Sequence, residues 1–193
     1  MNAETGRHGA GTDAAERIII RVQEQPFDVA AEYAAFRKGL CCGAVVSFTG
    51  IVREHGGKEA REHGGDAAVR AMTLEHYPGM TERTMAEIAE EALRRWPLKK
   101  VLVIHRYGRL LPDEDIVLVI TAADHRADAF DAAQFLMDWL KTKAPFWKLE
   151  ETTAGSRWVE AKASDDAAAA RWKAEGRATD RLFSKTKARG ITR

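Results

Sequence analysis

The chain has 193 residues, 45% of them apolar and 31% charged, the balance of a globular protein with one sizeable core and terminal extensions. A formal net charge of +1 argues against an overall nucleic-acid-binding or membrane-surface field. No apolar stretch approaches the ~20 residues of a membrane span and the first residues lack a signal-peptide core, which points to a cytoplasmic protein.

Residues 1–16 are polar and rich in Gly and Ala, and are expected as a disordered tail. "RIIIRVQ" (17–23) predicts a strand. In the following "PFDVAAEYAAFRKG", Asp28 caps a short helix with Val29, Tyr33 and Phe36 on one face, ending at Gly39. "CCGAVVSFTGIVRE" (41–54) predicts a long, mostly buried strand, with Gly50 allowing a bulge or a close approach. The next stretch repeats "REHGG" at 53–57 and 61–65, a Gly-rich loop, and "AVRAMTLEHY" (68–77) returns as a strand. The two strands are expected to pair as a long hairpin.

Pro78 opens a helix reaching residue 96, with Met85, Ile88, Ala89 and Ala92 at helical spacing and a basic last turn. "KKVLVIHRYG" (99–108) and "EDIVLVITAA" (114–123) predict strands flanking a turn at Pro112–Asp113. Asp124 then caps a helix over 125–144 that Pro145 stops, and "FWKLEETT" and "RWVEAKA" close the body as strands. The order β-α-β-β-α-β-β-α-β-β predicts an α+β domain over 17–163, an antiparallel or mixed sheet with packed helices. Residues 164–193 form an Ala-rich, then basic extension; 176–193 carry six Lys/Arg against Asp180 alone. A solvated extension is the reading favoured there over an RNA grip.

Metal chemistry finds little support. His55 and His63 lie in the Gly-rich loop, His76, His105 and His125 fall at strand ends, and no HExxH or CxxC pattern occurs. The adjacent Cys41 and Cys42 are expected as buried thiols, and neither a GxSxG elbow nor a P-loop spacing is present. What stands out is a set of cations at element ends: Arg53 after "FTGIV", His125 and Arg126 opening a helix, Lys141 closing it, and Lys148 after Phe146–Trp147. Charge with a defined direction suits an anionic ligand, and the helix N-terminus adds backbone donors. Arg126 and Lys141 share a helix face but stand ~22 Å apart along the axis. Either the pocket is elongated or one helix end serves a neighbouring subunit, and the second option predicts a homodimer. Lys141 and Lys148 flank the proline break, so their ammonium groups can converge. Desolvation by Trp139, Phe146 and Trp147 would ease their deprotonation.

"FTGIVRE", "LEHYPGM", "RRWPLKKVLVIHRYGRL", "ADHRADAF", "MDWLKTKAPFWKLE" and "SRWVEA", in that order, closely resemble the large, catalytic subunits of molybdopterin synthase over about residues 17–172. The resemblance implies an α/β hammerhead fold, a homodimer core, and a heterotetramer with two small ubiquitin-like sulfur carriers. It also implies transfer of sulfur from the carrier's C-terminal Gly-Gly thiocarboxylate to cyclic pyranopterin monophosphate, twice, without a metal or other cofactor. Carried over by motif, Arg53, His125 and Arg126 hold phosphate and pterin. Lys141 acts at the thiocarboxylate carbonyl, by stabilising charge or capturing the acyl group, and Lys148 tunes it and orients substrate. Two features depart from the family's pattern: Leu149 stands where a second lysine is usual, and the 55–67 loop is longer and lacks an asparagine after the arginine. Lys162 matches a usually basic position. The rival reading is a non-catalytic scaffold that binds the carrier's acidic tail.

Overall fold

A computed structural model describes residues 14–54, 68–159 and 168–172. The expectations for residues 1–13, the Gly-rich loop, Lys162 and the basic 176–193 stretch lie outside these residues; at the end of the expected disordered tail, Ala14–Arg17 form a short helix. The elements are α1 (Ala14–Arg17), β1 (Ile18–Gln23), α2 (Val29–Arg37), β2 (Ala44–Ile51), β3 (Val69–His76) and α3 (Met80–Arg95). They continue with β4 (Leu98–Arg106), β5 (Gly108–Leu110), β6 (Asp115–Ala123), α4 (Arg126–Lys143), β7 (Phe146–Thr152) and β8 (Gly155–Val159).

The α+β expectation holds, divided between two four-stranded sheets, β1-β4-β6-β2 and β5-β3-β7-β8. In the first, β1 runs parallel to β4 and the other pairs are antiparallel. Its central strands are apolar on both faces because both faces are covered. Leu102, Ile104, Leu118, Ile120 and Ala122 meet Phe36, Val29 and Tyr33 of α2 on one side. Val101, Val103, Val117 and Val119 meet Met85 and Ile88 of α3 and Phe135, Leu136 and Trp139 of α4 on the other. The period of two along each strand sorts these residues to the two layers.

The second sheet has a smaller core of Val52, Met72, Leu74 and Leu110. The expected hairpin of 41–54 with 68–77 does not form: β2 pairs with β6, while β3 pairs with β5 and β7. Local order suggested the hairpin, but β2 finds its ladder partner in β6, far along the chain. Nor is it the mostly buried strand expected, since its residues are half-buried or exposed, Phe48 and Ile51 among the exposed ones. Gly50 does mark a register shift, and a Cβ there would lie 2.7 Å from Val117 Cγ1. Asp28 caps α2 as expected, accepting from the amides of Ala30 and Ala31 at 2.8 and 3.0 Å.

The Ala-rich extension is not all peripheral. A helical turn at 168–172 buries Ala169 and Trp172 against the α3/α4 layer. Trp172 stands edge-on to Trp96 and Phe135, and its indole donates to Asp138 Oδ2 at 2.8 Å. Arg171 reaches the same oxygen, and Arg95 binds the Trp172 carbonyl at 2.9 Å. Among the described residues, no helix is long and apolar enough to cross a membrane.

Trp172 thus staples α3 to α4, and Trp172→Ala should cost about 3–5 kcal/mol, the usual range for removing a buried tryptophan. Urea unfolding followed by circular dichroism measures it; a loss under about 1 kcal/mol would show the turn to be dispensable.

Candidate functional site

The site is built around the exit from α4. Pro145 cannot continue a helix, and its ring forces the preceding residue into extended backbone. Ala144 accordingly sits at φ −68°, ψ 125°, and Phe146 starts β7 with its amide on the Ala144 carbonyl at 2.8 Å. Lys141 lies exposed in the last turn of α4, and Lys148 is partly buried on β7. The break therefore places one lysine on a helix end and the other on a strand, on either side of a fixed turn.

Lys148 is held by a residue that sequence reading missed. Its ammonium meets Glu150 Oε1 at 2.7 Å, while Arg157 of β8 donates to Oε2 at 3.1 Å. Residues two apart on a strand share a face, and Arg157 is the direct cross-strand partner of Glu150. That spacing was legible in "KLE", although the arginine was not. Glu150 is 7% exposed; burial raises its carboxyl, but the hydrogen bond and charge of Lys148, then those of Arg157, leave it lowered overall.

The three aromatics expected around the lysines take separate places. Trp139 belongs to the main core and the ammonium over its ring, at 4.4 Å, is that of Lys143. Trp147 is 51% exposed, because strand alternation turns it to the face opposite Phe146 and Lys148. Phe146 instead stacks on His105, with ring centroids 3.8 Å apart.

The other cations lie elsewhere. Arg53 follows Val52, which is buried with Leu74 and is pinned by bonds to Glu114 O and from Asp113 N at 2.9 and 3.0 Å. Leu74 is in turn the register partner of Lys148, so Arg53 leaves β2 beside the strand pair that carries that lysine. His125 occupies the N-cap of α4 with no side-chain cap bond, correcting the expectation that Asp124 caps it. Asp124 pairs with Lys99 at 2.8 Å instead. Arg126 is the first helical residue, where its guanidinium opposes the macrodipole and adds positive field to a helix end whose first amides have no partner within the helix. Gly43 makes this junction possible: a Cβ there would lie 2.2 Å from the Asp124 carbonyl oxygen. Fifteen residues of straight helix separate Arg126 from Lys141, ~22 Å, so one protomer does not bring all five cations to one small ligand.

The remaining expectations are quickly placed. Cys41 is exposed and Cys42 only partly buried, correcting the buried thiols. Among the described residues, no three His, Cys, Asp or Glu side chains gather as a metal site.

The sequence pattern of the MoaE protein family matches residues 22–143. The chain belongs to the MoaE family. As a MoaE protein it is an enzyme subunit, the catalytic one of molybdopterin synthase in molybdenum cofactor biosynthesis. It is 54% identical to the molybdopterin synthase catalytic subunit of Cereibacter sphaeroides over 154 residues, 79% of this chain and 99% of the relative. The Escherichia coli catalytic subunit is likewise 54% identical over 158 residues, 82% of this chain and 99% of its own. A solved MoaE protein from Burkholderia ambifaria superposes with a TM-score of 0.66 at 50% identity, covering 81% of this chain and 98% of that one.

Two measurements follow from the electrostatics of this MoaE site. Glu150→Gln should cost about 1–2 kcal/mol at pH 7, since its partners are partly solvated. The carboxyl is lowered in the folded protein, so its contribution is full above the ordinary value of 4.5 and fades as pH falls through the lower folded value. Urea midpoints at pH 7 and pH 4 should therefore differ less in the variant than in the native chain. The His105 ring, pushed down from 6.5 to about 4 by desolvation, should titrate by NMR near pH 4, and its share of stability should fall as pH drops between those values. A midpoint near 6.5 would contradict the enclosure of the ring.

Proposed function

We propose that this chain transfers sulfur from the C-terminal Gly-Gly thiocarboxylate of a small ubiquitin-like carrier to cyclic pyranopterin monophosphate, in the cytoplasm. The observation that supports it most is the α4–β7 turn, which sets Lys141 and Lys148 on either side of Pro145 with Lys148 anchored by Glu150. Lys141, exposed at the helix end, meets the thiocarboxylate carbonyl and stabilises the negative charge that develops there as sulfur departs. Lys148, with its ammonium held in place, directs the carrier's carboxylate-like terminus and the substrate. Arg53, which follows β2 beside the β3–β7 pair, together with His125 and Arg126 at the N-terminus of α4, takes the cyclic phosphate and pterin.

The length of α4 separates the phosphate-binding pair from the lysines, so a second copy of the chain completes each site. The exposed Trp147 and Trp158 share one face of the second sheet, opposite the Lys148–Glu150 face, and supply an apolar patch for a homodimer. With one carrier on each copy the assembly is a heterotetramer.

Reconstitution with thiocarboxylated carrier and cyclic pyranopterin monophosphate tests this directly. The native chain should yield the dithiolene product, with Lys141→Ala and Arg126→Ala each reducing the rate at least ~100-fold. Mixing those two inactive variants should restore ~25% of native activity, because random pairing leaves one intact composite site in half of the dimers. Carrier binding without product from the native chain would favour the scaffold reading, and no recovery on mixing would confine each site to one protomer.

A further inference from the structure

The histidines that the metal argument set aside meet at the lysine turn. His76 ends β3 as the register partner of Phe146, and His105 near the end of β4 stacks on the same ring, the planes 20° apart. His105 Nδ1 donates to its neighbour's carbonyl, Arg106 O, at 2.8 Å, which fixes the ring's tilt and leaves Nε2 without a proton in the neutral form. His76 packs against Tyr107 at 4.4 Å and faces Glu82 of α3 at 3.7 Å. From the first turn of α3, the buried Thr81 hydroxyl bonds Tyr77 O at 3.0 Å and reaches Pro145 O at 3.4 Å. Three separate elements thus grip two consecutive residues, Pro145 and Phe146.

Packing alone would ask for an aliphatic cluster here. Flat rings do something more specific: they fix the rotation of Phe146 about its own strand. Phe146 and Lys148 lie on the same face of β7, two residues apart, so a change in how Phe146 seats moves the lysine with it. Within the reading of Lys141 and Lys148 as the reacting pair, we propose that His105 is a positioning residue for sulfur transfer, seating Phe146 by stacking and so setting where β7 presents Lys148 to Lys141. His76 backs the stack from β3, and Thr81 fixes the proline carbonyl. His105 does not touch the substrate, and its proton plays no part.

The test uses the full chain, thiocarboxylated carrier and cyclic pyranopterin monophosphate, and compares His105→Ala, His105→Phe, Lys148→Ala and the double variant His105→Ala/Lys148→Ala. His105→Ala should lower kcat ~10- to 100-fold, the scale expected of a small misplacement near the chemistry, with KM for the carrier within ~2-fold of native. His105→Phe, which keeps a flat ring and has no titratable proton, should recover most of kcat. In the double variant the losses should not multiply, because His105 acts through Lys148. An unchanged kcat in His105→Ala, a Phe variant as slow as the Ala variant, or fully multiplicative losses would each overturn the proposal. If His105→Ala does not fold, Thr81→Val preserves the volume beside Pro145 and must show the same loss in kcat at constant KM. Native rates in both Lys141→Ala and Lys148→Ala would instead overturn the underlying reading of the lysines, whatever the histidine variants do.

Discussion

The break at Pro145 is the constraint from which the site follows. α4 belongs to the first sheet, with Phe135 and Leu136 in its core, whereas β7 lies between β3 and β8 in the second. A helix that ran on would carry Lys148 past both cores into solvent. Because the proline ring ends the helix and the next residue is already a strand, Lys141 takes its direction from one core and Lys148 from the other. The backbone that carries each lysine cannot shift without disturbing a packed layer, and packed layers resist small displacements.

A net charge near zero conceals how the cations are distributed. Among the described residues, ion pairs such as Arg94 with Glu91 or Arg109 with Glu151 lie on the surface and contribute little. Glu150 is different, since it is buried and collects two cations from two strands. Its desolvation is offset only while both donors remain, which makes the pair directional as well as attractive. At the other end of α4, the Arg126 guanidinium opposes the helix dipole, and a cation in that position costs stability unless an anion offsets it.

The helices were largely legible in the sequence because each carries its own signals. Asp28 caps α2, the Met85–Ala92 spacing marks the buried face of α3, and Pro145 ends α4. Strand positions were legible too, but their partners were not. β2 and β3 follow one another and read as a hairpin, yet the choice between β3 and β6 depends on burial that no local pattern encodes. Asp124 has the residue type of a cap, but Lys99 at the start of β4 takes its carboxylate. The candidate cations were identified from their place at element ends. Their partners were missed because Glu150, Arg157 and the Phe146 rings come together only through sheet register.

Register also resolves the departure at Leu149. Beside a candidate lysine, exchanging a cation for leucine looks like a loss. On β7, however, odd-numbered residues face away from Lys148 and Glu150, and Leu149 pairs with Trp158 on β8 and Thr73 on β3. Its side chain therefore joins the apolar face of Trp147 and Trp158, while the ion pair on the opposite face keeps all three of its members. A lysine there would place a charge among those tryptophans and leave the Lys148–Glu150–Arg157 contacts as they are. The substitution changes the Trp147–Trp158 face and leaves the Lys148–Glu150–Arg157 face intact, because alternate residues of one strand point to opposite sides of the sheet.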